Sequence, residues 1–238
     1  MTIVKRIGEG HLVINIIDFN QDIVILVIPG GGYALLSNRE SGPVATRFNI
    51  LGYNTAVLYY TCKPLMPLKE GVMAVEELSK DFKNIVTIGF SAGGHLAGFL
   101  GTNDYLGNLK IMVLCYPVVS LYKHQHDDTA HNLLGDNDTL DSRIKYSIEE
   151  RVTSKTVPCY IWTTSTDELV PYENTLMLID KLKEHNIKYE AKIYDHGCHG
   201  LALADETSIV NHDPSFADKE IAHWPYDVDK FIKKILNK

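Results

Sequence analysis

A chain of 238 residues, 45% hydrophobic and 22% charged, is long enough to bury one sizeable core and has the composition of an ordinary globular domain. Its formal net charge of -7 argues against nucleic acid as a partner, because phosphate binding calls for a basic surface. The first residues contain no apolar run long enough for a signal peptide, and the strongest apolar run, Ile23 to Ile28, is far too short to cross a membrane, so the expectation is a cytoplasmic protein with no membrane partner.

In chain order, Thr2 to Arg6 and Leu12 to Ile17 read as two strands of a hairpin. Ile23 to Ile28 is almost uniformly apolar, as a central strand covered on both faces should be. A helix from about Glu40 to Leu51, a strand from Thr55 to Tyr60 and a helix from about Lys69 to Phe82 follow. The strand Ile85 to Gly89 runs into a helix of its own. Further strands are expected at Ile111 to Tyr116, Cys159 to Thr164 and Tyr189 to Tyr194, with helices from about Tyr172 to His185 and near Lys219 to Leu236. Strand and helix alternate repeatedly, which predicts an α/β fold with a mostly parallel, eight-stranded sheet and helices on both faces. All 238 residues read as one domain. The polar, His- and Asp-rich segment at about 119–156 interrupts the alternation and is expected to form a lid, a substrate wall or an inert surface loop. Within it, Ser147-Ile148-Glu149-Glu150 has the character of a capping box.

The chemistry is concentrated at Gly89-Phe90-Ser91-Ala92-Gly93, which fits G-x-S-x-G between a β-branched run and a helical run. Strand, tight turn and helix form a nucleophile elbow, with the serine hydroxyl raised above the sheet edge. A serine needs a base, the base needs an orienting acid, and the developing oxyanion needs donors. Asp167, a few residues beyond the strand Cys159 to Thr164, is the candidate acid, with Glu168 behind it. The last strand ends in Asp195-His196-Gly197-Cys198-His199-Gly200, where His199, in the Gly-flanked part of the loop, is preferred to His196 as the base. The order Ser91, Asp167, His199 is that of α/β-hydrolases and differs from chymotrypsin-like and subtilisin-like orders. Pro29-Gly30-Gly31-Gly32-Tyr33, after the buried strand, offers backbone amides for an oxyanion, and the N–H of Ala92 is expected as a second donor. Neither a phosphate-loop pattern nor G-x-G-x-x-G is present.

With these residues in view, the chain resembles the α/β-hydrolase esterases, close to the hormone-sensitive-lipase-like group and especially the small bacterial acetyl-esterase and acetylxylan-esterase-like proteins. The resemblance runs from about Ile23 to Leu236. It rests on Pro29 to Tyr33, Gly52-Tyr53-Asn54, Gly89 to Ala97, Asp167 with Val170-Pro171, and Gly197 to Leu201. It implies Ser91 as nucleophile, His199 as base, Asp167 as orienting acid, and Gly31, Gly32 and Ala92 as oxyanion donors. Pro29 departs from the histidine that many relatives carry there. Little chain precedes the first strands, which implies an open pocket.

The resulting expectation is a serine hydrolase of short-chain acyl esters, with acetylated sugars as the narrower substrate class and no cofactor. Alternatives on the same fold are a peptidase of the prolyl-oligopeptidase type, which usually carries a large accessory domain, an arylformamidase-like amide hydrolase, and a non-catalytic binding protein. The ester is a small molecule or a carbohydrate, and homodimerisation stays open. Other constellations read as weaker. His124, His126, Asp127, Asp128 and His131 have metal-ligand chemistry but also the composition of a solvated loop, and Asp136-Asn137-Asp138 lacks the glycine and distal glutamate of a calcium loop. His95 is expected to be a hydrogen-bonder behind the serine. Tyr33, Tyr60, Tyr116 and Trp162 are candidates either for stacking on a sugar or for the core. Cys62, Cys115, Cys159 and Cys198 are scattered with no CxxC pair, in keeping with a reduced protein.

Overall fold

The structure, a computed structural model, describes residues 1–103, 106–124 and 127–237. Two antiparallel strands, β1 (Thr2–Ile7) and β2 (Gly10–Asn15), open the chain as the expected hairpin. The strictly parallel part comprises β3 (Ile23–Ile28), β4 (Asn54–Tyr59), β5 (Asn84–Phe90), β6 (Leu109–Cys115), β7 (Cys159–Thr164) and β8 (Tyr189–Tyr194). Interleaved with the strands are α1 (Gly42–Ile50), α2 (Met66–Leu78), α3 (Ala92–Gly101), α4 (Asp127–Leu134), α5 (Leu140–Tyr146), α6 (Glu173–Glu184) and α7 (Trp224–Leu236). The eight strands lie in the order β1-β2-β4-β3-β5-β6-β7-β8. This is the α/β-hydrolase architecture, a mostly parallel sheet with helices on both faces.

The continuous apolar run of β3 finds its reason in the two cores. Val24, Leu26 and Ile28 join a cluster containing Leu78 of α2, Leu96 and Leu100 of α3 and Leu182 of α6. The alternate residues Ile23, Ile25 and Val27 face Phe48 of α1 and Phe231 and Ile232 of α7. A strand covered on both sides needs no polar face, so its sequence shows no alternation. β3 pairs with β4 on one side and β5 on the other. The chain order reverses there, and the crevice at the carboxyl ends of β3 and β5 is where ligands bind in open α/β sheets.

Away from that edge, one buried carboxylate fastens the hairpin. Glu70 of α2 accepts the amides of Glu9 and Gly10, each at 2.9 Å, and both the amide and the hydroxyl of Thr61. Four donors satisfy the group at no exposure, as a buried charge requires.

Several boundaries differ from the sequence expectation, each for a local reason. The helix expected from Glu40 begins at Gly42, because Asn38–Glu40 form a separate 3-10 turn and Ser41, at ψ -100, leaves helical geometry. The closing helix begins at Trp224 with Pro225 in its first turn, after a 3-10 turn at Ile221–His223. The segment at 119–156 contains two helices, α4 and α5, that periodicity did not announce. Ser147 does not cap a helix start. It closes α5, where its hydroxyl donates to the Arg143 carbonyl and accepts the Leu121 amide, and no helix follows it.

Candidate active site

The elbow forms because the chain between β5 and α3 has no room for side chains. A Cβ on Gly89 would sit 2.1 Å from the Gly93 carbonyl oxygen, and one on Gly93 would sit 2.2 Å from that of Ile28. Between them Ser91 is held at φ 52, ψ -117. Such a backbone costs a non-glycine residue roughly 1–3 kcal/mol, so the surroundings must enforce it. They do so through three hydrogen bonds. The Ser91 amide donates to the Cys115 carbonyl at 3.0 Å, and its carbonyl accepts the amides of His95 and Val118, each at 3.1 Å. The hydroxyl is left facing outward at the sheet edge, on a residue only 8% exposed.

His199 comes from the loop after β8. Its Nε2 lies 2.9 Å from Ser91 Oγ and its Nδ1 lies 2.6 Å from Asp167 Oδ2. A carboxylate only accepts, so Nδ1 carries the proton, Nε2 offers its lone pair, and the Ser91 hydroxyl donates to it. Asp167 is itself fixed: its other oxygen accepts the amides of Leu169 and Val170 at 2.9 and 2.8 Å. The loop carrying His199 is tied to the Asp167 loop, since the Gly197 carbonyl accepts the hydroxyls of Thr164 and Thr166. Asp167, whose side chain is fully buried, meets His199 in a low-dielectric setting that strengthens their contact.

The alternatives to these residues are engaged elsewhere. Both ring nitrogens of His196 face carboxylates, Asp195 at 2.8 Å and Asp218 at 3.0 Å. Those partners, Asp195 first, raise its pKa by favouring the charged ring. Glu168 is exposed and lines a second cleft of about 670 Å³, together with His196, Cys198 and His199.

Gly31 and Gly32 follow β3 and line the same cleft as Ser91 and His199, a cleft of about 490 Å³. Among the described residues, their amides donate to no protein group. Ala92 is the first residue of α3, where an N–H has no acceptor in its own helix. One wall of the cleft comes from α4. Asp128 and Asn132 line it, and Asn132 Nδ2 donates to the Gly32 carbonyl at 2.9 Å, which ties α4 to the glycine loop. Leu35, Val170 and Phe216 supply apolar surface.

Residues 71–223 match the model of the prolyl oligopeptidase family, a span that covers more than half of the chain and includes Ser91, Asp167 and His199 but not the glycine loop. The chain belongs to the prolyl oligopeptidase family. Within that family it is an α/β-hydrolase related to proteins named as esterases and as a xylanase. It is 33% identical, over 95% of its length and 88% of the other chain, to an acetyl ester-xyloside bifunctional hydrolase from Caldicellulosiruptor lactoaceticus, with a TM-score of 0.82. It is 33% identical to endo-1,4-beta-xylanase B of Butyrivibrio fibrisolvens over 79% of this chain and 34% of that protein. An acetylxylan esterase of Xylanibacter ruminicola is 27% identical over 91% of this chain and 48% of its own length. The chain thus spans about a third to a half of these two curated relatives.

Other side chains singled out in the sequence have different places. His95 is fully buried behind the elbow, with Nδ1 2.8 Å from the Tyr33 hydroxyl and Nε2 2.8 Å from the Tyr146 carbonyl. Burial pushes its pKa down to about 4, so at neutral pH it is uncharged, donates from Nε2 and accepts from Tyr33. None of Tyr33, Tyr60, Tyr116 and Trp162 is free to stack on a sugar: each is at most 3% exposed and packed in the core. Of the metal-type cluster, His126 lies outside the described residues. Among the described residues no three His, Cys, Asp or Glu side chains converge as metal ligands do. Asp138 is instead paired with Arg143 through both oxygens. No helix among the described residues is long and apolar enough to cross a membrane.

Sequence reasoning missed Glu40. Its buried carboxylate accepts the Gly30 amide and the Tyr116 hydroxyl, both at 2.8 Å, and Glu40 lines the same cleft as Ser91 and the glycine loop. An acidic residue at a presumed helix start reads as an N-terminal charge, and nothing in its neighbours signals an inward turn.

Proposed function

We propose that the chain is a carboxylesterase of the acetylesterase type, with Ser91 as nucleophile, His199 as general base and acid, and Asp167 as the group that orients His199. The observation that carries this reading is the geometry of His199, which lies 2.9 Å from the hydroxyl of a strained elbow serine and 2.6 Å from a buried carboxylate. His199 Nε2 takes the Ser91 proton as Oγ attacks the acyl carbonyl carbon. The oxyanion is held by the amides of Gly31, Gly32 and Ala92, and Asp167 stabilises the imidazolium. The tetrahedral intermediate collapses, His199 protonates the departing alcohol, and the acyl group remains on Ser91. His199 then deprotonates a water that attacks the acyl-enzyme, releasing the acid and restoring Ser91.

The preferred acyl group is short and the alcohol is a sugar or another polyol. A cleft of about 490 Å³ holds a small acyl group against Leu35 and Val170 with space for a polar alcohol. On the α4 wall, Asp128 and Asn132 supply a carboxylate and an amide, the acceptors and donors that hydroxyl groups require. In this reading α4 is a substrate wall, and residues 1–238 act as a single catalytic domain. The names of the relatives, an acetylxylan esterase among them, support the same substrate class. The peptidase name of the matching family favours a second reading, amide hydrolysis by the same residues.

The test is turnover of p-nitrophenyl acetate, butyrate and octanoate by the wild type and by Ser91→Ala, together with labelling by a fluorophosphonate. Ser91-dependent turnover that is fastest on acetate supports the reading. No turnover on any chain length and no labelled serine sinks it. Faster cleavage of an anilide or formanilide than of the matching ester moves the assignment to an amidase.

A further inference from the structure

We propose that Glu40, acting through Tyr116, is a positioning residue that locks the glycine loop and the histidine loop into one geometry around Ser91. The inference deepens the esterase reading and rests on it.

Two segments that build the site, the glycine loop and the histidine loop, are joined through this one carboxylate. Oε2 accepts the Gly30 amide at 2.8 Å, at the head of the loop that carries Gly31 and Gly32. Gly30 is wedged between the carboxylate and the elbow: a Cβ there would lie 2.9 Å from Glu40 Oε2, 2.5 Å from the Phe90 carbonyl and 3.0 Å from Ser91 Cβ. Oε1 accepts the Tyr116 hydroxyl at 2.8 Å, and that hydroxyl in turn accepts the Ala202 amide at 2.9 Å, three residues beyond His199. The Tyr116 ring stands edge-on to His199 with centroids 5.0 Å apart. A single chain of hydrogen bonds therefore runs from the glycine loop to the histidine loop through Glu40 and Tyr116. The adjacent Arg39, which also lines the cleft, grips the same histidine loop, donating to the carbonyls of Gly200 and Ser208 at 2.8 and 2.9 Å.

The cost of this arrangement argues for a role. Glu40 is 3% exposed, and burying a carboxylate is unfavourable unless donors compensate it. Tyr116 is itself strained, at φ 38, and its phenol stays protonated because burial and the neighbouring Glu40 raise its pKa. An apolar pair would fill the same space without burying a carboxylate. What it could not do is link the Gly30 amide on one loop to the Ala202 amide on the other through one chain of hydrogen bonds. A displacement of about 1 Å in the donors or the base is enough to slow the chemistry about a hundredfold.

The experiment compares wild type, Glu40→Gln, Tyr116→Phe and the double variant, with Ser91→Ala as control. The readouts are kcat and KM on p-nitrophenyl acetate per fluorophosphonate-titrated site, the rate of that labelling, and thermal melting. Each single variant is expected to lower kcat about 10- to 100-fold with KM moved less than about threefold, because the geometry serves the transition state rather than substrate binding. Labelling should slow by a similar factor. The double variant should be no worse than the poorer single, since both remove links of one chain. Folded single variants that keep kcat and labelling within about twofold of wild type overturn the proposal, as does a double variant whose losses multiply. If Glu40→Gln does not fold, Tyr116→Phe, which removes one hydroxyl, decides alone. A wild type with neither Ser91-dependent turnover nor labelling overturns the esterase reading itself. A wild type that turns over, matched by its Glu40 and Tyr116 variants, overturns only the positioning role.

Discussion

His196 and His199 lie three residues apart in one loop, and each is hydrogen-bonded to an aspartate. Their surroundings nevertheless separate them completely. The second nitrogen of His199 meets a hydroxyl, whereas the second nitrogen of His196 meets another carboxylate. The His199 side chain is 15% exposed and faces Ser91, while that of His196 is 44% exposed and bridges Asp195 and Asp218. A base must hold a lone pair ready at its reacting nitrogen, and two flanking carboxylates favour a proton on both. A histidine–aspartate pair is therefore not by itself a sign of catalysis. What lies on the far side of the ring decides.

The largest expected effect breaks this comparison outright if it fails. His199→Ala should lower kcat on p-nitrophenyl acetate by about 10⁶-fold, and His196→Ala should leave it within about threefold. Activity that survives loss of His199 but not of His196 would transfer the base to the other ring. Next in size is Asp167→Asn, which keeps the shape of the pair but allows the wrong tautomer of His199, with an expected loss of about 10⁴-fold in kcat. Asp218→Asn, the same change beside His196, should leave kcat near that of the wild type.

How much of this was legible beforehand depends on the range of the interactions. The strands β3, β7 and β8 could be read to the residue, Ile23–Ile28, Cys159–Thr164 and Tyr189–Tyr194: β3, buried on both faces, is an uninterrupted apolar run, and the other two are short runs carrying aromatic and β-branched residues. Ser91, Asp167 and His199 were legible because each follows its strand in a fixed order. Glu40 and Tyr116 were not. The partners of Glu40 are an amide 10 residues away and a hydroxyl 76 residues away, and no local pattern encodes them. The helices α4 and α5 were missed because their polar faces outweigh short apolar ones: only Thr129, Ala130, Leu133 and Leu134 of α4 are buried, and none of α5.

His95 sharpens the contrast from the opposite direction. It is buried and neutral, with a pKa near 4 against about 6.5 for a free histidine. A depressed histidine favours the fold above its unfolded pKa, and that stability is lost as pH falls from about 6.5 towards 4, where the unfolded chain takes up a proton that the folded one refuses. The full shift corresponds to about 3 kcal/mol. His95→Gln should be less stable than wild type at pH 7, through imperfect reach to Tyr33 and Tyr146. Its stability should nevertheless fall less steeply between pH 7 and pH 5 in urea melts. Parallel pH profiles for the two proteins would count against a buried neutral ring.

The smallest effect belongs to His196, and its sign is reversed. Its folded pKa is raised by Asp195 and Asp218, so its contribution is fully present below the unfolded value of about 6.5 and disappears as pH rises through the raised one. Both carboxylates are held below their usual range, so their share is present above about 4 and lost as pH falls through their lowered values. The window in which the bridge stabilises the loop therefore lies between the carboxylate and imidazole titrations. The melting temperature of wild type should exceed that of His196→Gln most at about pH 5 to 6, and the gap should close as pH rises through the raised imidazole pKa. The gap should be small, since an exposed ion pair is screened by solvent, and it should shrink further in high salt. An equal gap at pH 5 and pH 9 would mean that the ring supports the loop by packing alone. In that case the difference between the two histidines would rest only on which of them faces Ser91.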